Sequence, residues 1–356
     1  MGGAHEGRGA RPDHGRRGHR ADAPSARLVR RTHLVTGVTG QDGVWLSRLL
    51  VRQGDRVVGT SRDGSGGDRG CYLQGVELAA LDVRDQDSFA KILDEVSPDV
   101  VHNLAAMTSV GASWQAAEEV ADVDGDAVVR MLDVLRDHGD RAPVFVHASS
   151  SEIFGPADPA RLVDERTTIQ PVSPYGEAKA RAHDAVRAAR AEGLHATNLV
   201  LFGHTSALHP VRFAIPSLAR QAAEVGLGRR DCVALHNPAT RRDWGSAPDF
   251  VRAFAAAAES PAGDFVIATG ALHTLEELGR WALDAAGAPD AAVTASGDAG
   301  RPHDFDNVRG DPRQAADVLG WSPTRTIRQE VEQMVRTELA RLRTGVAESA
   351  NYLDPA

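Results

Sequence analysis

The stretch Thr36-Gly37-Val38-Thr39-Gly40-Gln41-Asp42-Gly43 lies between a β-rich run, Leu34-Val35-Thr36, and a helical pattern that starts at Val44. Glycines at a strand-to-helix turn let the backbone approach a pyrophosphate, which then rests on the positive N-terminus of the helix. The spacing is GxxGxxG, not the older GxGxxG fingerprint. A glycine triplet alone is common in loops. Placed at the first strand-to-helix turn of a domain, it points to an open parallel sheet that binds a dinucleotide.

The rest of the chain has the alternation such a sheet requires. Strand patterns occur at Arg56–Thr60, Val76–Asp82, Val100–Leu104, Val144–Ala148 and Thr197–Phe202. Helical patterns separate them at Val44–Gln53, Ser88–Val96, Ala117–His138 (one long helix or a broken pair) and Tyr175–Glu192. This βαβα order predicts an α/β fold, a Rossmann-like doubly wound parallel sheet, with a smaller C-terminal substrate-binding lobe. The expected organisation is a disordered basic extension over 1–31 and an NADP-binding domain over 32–204 with returns near 243–270. A substrate-binding lobe over 205–242 and 271–343 and a tail over 344–356 complete it. The extension is rich in Gly, Arg, His and Asp and too poor in apolar side chains to offset its ordering entropy.

Composition narrows the function classes. A net charge of -9 argues against a general nucleic-acid binder. Two cysteines, Cys71 and Cys232, make a disulfide framework improbable and favour a reducing cytoplasm. No stretch approaches the about 18 apolar residues of a membrane span. No metal cluster is expected either, the histidines of the extension being read as part of a composition-biased tail.

Within the sheet, Gly37, Thr39, Gly40, Gln41, Asp42 and Gly43 are the candidate cofactor loop. The second strand ends in Thr60-Ser61-Arg62, a hydroxyl and a guanidinium that suit a 2′-phosphate, although Asp63 follows at once. NADP(H) is therefore favoured, with NAD possible. Asp82 and Val83 are placed to meet the adenine, and the small Leu104-Ala105-Ala106 run lets the nicotinamide half lie flat.

Tyr175 and Lys179 stand four apart on one helix face. A cation beside a phenol favours phenolate, which takes the proton of a carbinol while its hydride passes to the nicotinamide. YxxxK by itself is common. It gains meaning from Ser149-Ser150-Ser151-Glu152 at the carboxyl end of the fifth strand, where open sheets place ligands. Ser150 is the candidate to hold the reacting oxygen, the alternative being that these serines only cap a turn. Glu152, beside apolar Ile153-Phe154, is a candidate base and then acid, or else a structural loop carboxylate.

Taken together, TGVTGQDG (36–43), NLAA (103–106), ASSSEIFG (148–155), SPYGEAK (173–179) and RDWGSAPDFV (242–251) resemble the GDP-mannose 4,6-dehydratases. These are extended short-chain dehydrogenase/reductases. The resemblance spans about Thr32 to Leu342 and includes VIATG (266–270) and Leu319-Gly320-Trp321. It implies oxidation at C4 of a hexose by Tyr175 and Lys179, removal of the C5 proton and loss of the C6 hydroxyl through Glu152, and hydride return to C6. It also implies that Arg242 lies near a nucleotide-sugar diphosphate and that Arg301 belongs to an RP motif near the nucleotide. Ser109, Ser151 and Asn198 complete the candidate substrate set, and His204 the cofactor set. The expected partner is a nucleotide-diphospho-sugar.

Departures from the family pattern are equally specific. Where the family reads FNHES this chain has Phe202-Gly203-His204-Thr205-Ser206, a change placed beside the substrate. Ala207–Ala219 keeps only Arg212 of a basic segment, and Arg62–Gly67 replaces an arginine-serine loop tied to tetramer contacts, so a homodimer or homotetramer is expected. The competing reading is a C4 epimerase or 4-keto reductase on a modified hexose or heptose, with Glu152 in a binding role. A non-enzymatic dinucleotide sensor is the third.

Overall fold

A computed structural model describes residues 1–2, 30–156, 161–297 and 308–353. The chain divides into two units, 1–30 and 31–356, and all the elements below lie in the second. Most of the predicted extension, and Arg301, lie outside the described residues.

The glycine-rich turn sits where the sequence places it, between strand β1 (Thr32–Thr36) and helix α1 (Gln41–Gln53). The chain continues through β2 (Arg56–Ser61), β3 (Val76–Ala80), α2 (Gln86–Val96) and β4 (Val100–Asn103). Two short helices, α3 (Val110–Ser113) and α4 (Ala117–Val120), lead through a π-helical turn, Ala121–Asp126, into α5 (Ala127–His138). The long helical pattern is thus a broken pair. Next come β5 (Val144–Ser150), the short β6 (Leu162–Val163), α6 (Pro174–Ala191), β7 (Ala196–Leu201) and β8 (Gly203–Thr205).

Among the described residues seven strands pair in the order β11-β7-β5-β4-β1-β2-β3, all parallel, where β11 is Asp264–Ile267. Successive side chains of a strand face opposite sides of the sheet, and both sides are covered. Val35, Val57 and Val146 pack on one side with Leu46, Leu50, Phe250 and Phe254. Leu34, Val58, Val101 and Phe145 pack on the other with Phe89, Met131, Leu132 and Val186. Near-continuous apolar strands are the result.

The later elements are α7 (Ala214–Gly226), β9 (Cys232–Leu235), β10 (Arg241–Ser246), α8 (Ala247–Ala257), β12 (Leu272–Thr274), α9 (Leu275–Ala285), β13 (Ala292–Ala295), β14 (Arg309–Gly310), α10 (Arg313–Leu319) and α11 (Ile327–Thr344). Helix α8 packs on α1, and β11 pairs with β7 at the edge of the main sheet. A second core forms where α7, α9 and α11 bring together Leu218, Leu278, Leu283, Val331 and Met334.

The tail differs from expectation. Gly345 ends α11 in the left-handed region, at φ 72°, and the chain then folds back. Glu348 accepts from the Tyr72 hydroxyl at 2.7 Å and from Arg341 at 2.9 Å, and Leu353 is buried in the second core. A buried apolar residue and a doubly bonded carboxylate hold the segment down.

Asp249 bolts α8 to the segment entering α11. Its carboxylate is buried and accepts from the backbone N–H of Thr324 and Arg325 at 2.7 and 2.6 Å, and from the Arg252 guanidinium at 3.0 Å. Asp249→Ala leaves two part-buried backbone N–H groups without acceptors, each worth about 1–3 kcal/mol. The expected outcome in urea unfolding is a loss of about 3 kcal/mol or more, and a loss under about 1 kcal/mol would show that the bolt carries little.

Candidate active site

The carboxyl ends of the central strands open into a cavity of about 670 Å³. Its floor is the turn between β1 and α1. Gly37 takes φ +68°, and a Cβ there would meet the Ala105 Cα at 2.8 Å. At Gly43 a Cβ would meet the Gly37 carbonyl oxygen at 2.4 Å. The turn is therefore built on the absence of side chains. Thr36 fastens it to β4: its hydroxyl donates to Asn103 Oδ1 at 2.8 Å and accepts from the N–H groups of Leu104 and Ala105 at 3.1 and 3.2 Å.

Gly37, Thr39, Gly40, Gln41, Asp42 and Gly43 all line the cavity, together with Arg62, Asp82, Val83, Leu104, Ala105, Ala106 and His204. Two of them have other engagements. Gln41 accepts a hydrogen bond from Ser206 at 2.9 Å, and Asp42 bonds His204 Nε2 at 2.9 Å. The other nitrogen of His204 faces the Phe202 carbonyl at 2.8 Å, and the ring stacks on Phe250. Two oxygen acceptors on both sides of the ring fix an imidazolium. Burial works against that charge, yet the Asp42 carboxylate holds the His204 pKa above its ordinary value.

Asp63 is turned into its own loop. Its carboxylate accepts from Ser65 N, Ser65 Oγ and Ser61 Oγ at 3.0, 2.7 and 3.0 Å, which holds its pKa down at about 2. It does not line the cavity, whereas Arg62 does.

The catalytic candidates converge at the far end. Ser173 caps α6 by accepting from Gly176 N at 3.1 Å, and Pro174 opens the first turn, so Tyr175 enters the cavity from a fixed helix end. Ser150 accepts from Glu152 N at 3.2 Å and also bonds the Tyr175 phenol, so it both caps a turn and meets the tyrosine. The Lys179 ammonium donates to the Ala148 carbonyl at 3.2 Å and lies 5.9 Å from the centre of the Tyr175 ring. Ser151, Glu152 and Arg242 line the same wall, with Arg242 Nη1 3.5 Å from Glu152 Oε1.

The expectation that Lys179 depresses the phenol pKa is not met by the chain alone. Burial, then the negative charges of Asp124, Glu152 and Asp42, push Tyr175 well above its ordinary value, outweighing the Ser150 hydrogen bond. Burial also lowers the Lys179 pKa. Sequence reading missed Asp124. It sits in the π-helical turn, fully buried, and accepts from Met107 N at 2.8 Å. Glu118, Glu119, Asp122 and Asp126 surround it in sequence, so nothing local singles it out.

Two predicted substrate contacts are corrected. Asn198 is fully buried within β7, donating to the His183 carbonyl at 3.1 Å and to Asp264 at 2.9 Å, away from the cavity. Ser109 does not line the cavity although Thr108 and Val110 do; its hydroxyl caps α3 by accepting from Ala112 N at 3.3 Å. Thr205, expected beside the substrate, is buried against His209 and Met334.

A parallel Rossmann sheet with Ser, Tyr and Lys at the carboxyl ends of β5 and α6's first turns defines an extended short-chain dehydrogenase/reductase. The GDP-mannose 4,6 dehydratase family profile matches residues 34–334. GDP-mannose 4,6 dehydratase of Homo sapiens is 32% identical over 348 residues, covering 88% of this chain and 93% of that one. GDP-mannose 4,6 dehydratase 1 of Arabidopsis thaliana is 33% identical over 344 residues, covering 91% and 94%. The fold also matches the UDP-glucose 4-epimerase of Thermotoga maritima solved with UDP-glucose, at a TM-score of 0.78, 22% identity and coverage of 88% and 99%. RMD of Pseudomonas aeruginosa complexed with NADPH matches at a TM-score of 0.73 and 21% identity, covering 88% and 98%. The chain belongs to the GDP-mannose 4,6-dehydratase family.

No helix among the described residues is long and apolar enough to cross a membrane. Gly37→Ala is expected to cut nicotinamide dinucleotide affinity more than about tenfold in a fluorescence titration, because backbone rather than a flexible side chain opposes the new methyl group. Asp124→Asn removes a negative charge facing the phenol, so Tyr175 should ionise at lower pH. Ultraviolet difference absorbance, referenced to Tyr175→Phe, reads this directly, and an unmoved or raised transition would contradict it.

Proposed function

We propose that the protein is an NADP(H)-dependent nucleotide-sugar 4,6-dehydratase, acting on GDP-mannose or a close relative to give a 4-keto-6-deoxy sugar. The observation that carries the reading is the place of Glu152. A carboxylate follows the serine of the Ser150–Tyr175 pair by two residues and faces the same cavity, 12% exposed, with a guanidinium at 3.5 Å. Simple carbinol oxidation has no use for it, whereas elimination needs a group that takes one proton and gives it up again.

Tyr175 accepts the proton of the C4 hydroxyl, and Ser150 holds that oxygen. The C4 carbonyl acidifies the adjacent C5–H. Glu152 removes that proton and delivers it to the departing C6 hydroxyl, which leaves as water. The proton taken by Tyr175 is returned, by way of solvent, to C5. A dinucleotide held over Gly37, Thr39, Gly40 and Gly43 would supply the transient hydride acceptor and donor for C4 and C6, and in its oxidised form would add positive charge where the chain's own carboxylates keep Tyr175 protonated. The sugar thus loses one water with no net redox change. Arg242 steadies Glu152 and adds positive charge for a diphosphate. The choice of NADP over NAD rests on Arg62 at the end of β2 and on the withdrawal of Asp63 into its loop.

Incubation with GDP-mannose in deuterated water should give a 4-keto-6-deoxy product with deuterium at C5. A product that keeps its C6 hydroxyl and has inverted C4 would overturn the reading in favour of an epimerase. Tyr175→Phe should lower turnover by about a thousandfold while NADP(H) still binds. Glu152→Gln should lose water elimination by a similar factor, with C4 oxidation remaining visible as reduced cofactor in a single turnover.

A further inference from the structure

Two segments far apart in sequence meet over the glycine-rich turn, and Arg69 joins them. It lies on the 3₁₀ turn Gly67–Tyr72 between β2 and β3. One guanidinium nitrogen donates to the Thr39 carbonyl, inside the glycine-rich turn, at 2.8 Å; another donates to the carbonyl of Leu208, in the segment after β8. The turn that carries Arg69 is itself pinned. Tyr72 is fully buried, donates its hydroxyl proton to Glu348 at 2.7 Å and accepts from Ser349 N at 3.2 Å.

Both hydrogen bonds of Arg69 end on carbonyls, so among the described residues no ion pair neutralises the guanidinium. Arg69 lines the cavity beside Thr39 and Gly40. The carboxylate nearest in the turn, Asp42, is taken by His204. The Glu348 carboxylate acts on Arg69 from a distance but is itself bonded to Tyr72 and Arg341. A guanidinium has five N–H donors, and one with no carboxylate in contact above a helix N-terminus matches a phosphate anion. The segment it touches is also sewn to α1: Trp45 donates to Ser206 at 3.1 Å, and Ser206 donates to Gln41 at 2.9 Å.

We propose that Arg69 is a diphosphate clamp that grips the dinucleotide at the glycine-rich turn and, through Leu208, ties the substrate-side segment down over it. Cofactor release then requires that segment to lift. This rests on the dinucleotide reading above. It suits a reaction in which the hydride leaves the sugar and comes back, since a cofactor lost between the two steps aborts the cycle. A nucleotide sugar also carries a diphosphate, but the bond to Thr39 places Arg69 on the cofactor's turn.

The test compares wild type with Arg69→Met, which keeps most of the stem, and Arg69→Lys. NADPH dissociation is followed by stopped-flow displacement and GDP affinity by calorimetry. Arg69→Met should release NADPH at least about tenfold faster, equivalent to about 1.4 kcal/mol, with GDP affinity within about twofold. Arg69→Lys should fall between, because one ammonium cannot bond two carbonyls and an anion in the geometry of a planar fork. Should the Met variant fail to fold, the Lys variant carries the comparison. An unchanged NADPH rate overturns the proposal, as does a loss confined to GDP, which would assign the clamp to the substrate. A wild-type protein that binds no dinucleotide overturns both this clamp and the function proposed above.

Discussion

A carboxylate at the mouth of an anion-binding helix is a liability, and the site is organised around how Asp42 is neutralised. Asp42 lies in the first turn of α1, at the glycine-rich loop where a pyrophosphate would rest. Burial pushes its pKa up, but the His204 imidazolium outweighs that and keeps it below the ordinary value. His204 is in turn held by the Phe202 carbonyl and the Phe250 ring. One ion pair therefore cancels a misplaced charge, and it joins the end of β7 and the start of β8 to the cofactor turn. Removing one partner leaves a buried charge uncompensated, which costs far more than the pair itself is worth.

Seen this way, the motif Arg242–Val251 is a set of fasteners with one functional tip. Arg242 reaches Glu152. Asp243 turns inward and accepts from Thr269 N, Gly270 N and Gly310 N at 2.9, 2.8 and 3.2 Å, fixing the loop after β11 and the strand β14 with one carboxylate. Trp244 walls the cavity, and Asp249 bolts α8 to the start of α11. Arg242, Asp243 and Trp244 all line the cavity, so this part of β10 serves the site and the scaffold at once, Asp243 tying its neighbours down from within the wall.

Strands and glycine turns were legible because they depend on local periodicity and on backbone sterics. The segment Thr36–Gly43, the caps at Ser173-Pro174 and the apolar runs of β1, β4, β5 and β7 all satisfy rules that act within a few residues. What was not legible depends on a partner distant in sequence. Asn198 looks like a ligand residue only until Asp264, 66 residues on, is seen to take its amide. Asp124 needs Met107 and Lys179 to reveal what it faces. The last turn looked like a loose tail because Tyr72, its anchor, is 276 residues away from Glu348. Arg301 lies outside the described residues, so its expected place near the nucleotide stays an expectation.

The same reasoning changes the meaning of the two departures in Phe202–Ser206. A Cβ on Gly203 would lie 2.8 Å from Trp244 Cδ1, so the glycine here answers to the packing of β8 on β10. Thr205 is paired with His209, whose ring burial, then the nearby His204 charge, drives down to a pKa of about 3. The neutral imidazole thus has a neutral hydroxyl beside it. Thr205 and His209 therefore form one uncharged unit. It stacks His209 on Phe213 at 4.2 Å, with Arg212 lying 4.9 Å over the Phe213 ring. His209, Pro210, Arg212 and Phe213 line the cavity, as do Phe202, Gly203 and His204, so the unit acts on the cavity through the residues that follow it while Thr205 itself stays behind the wall.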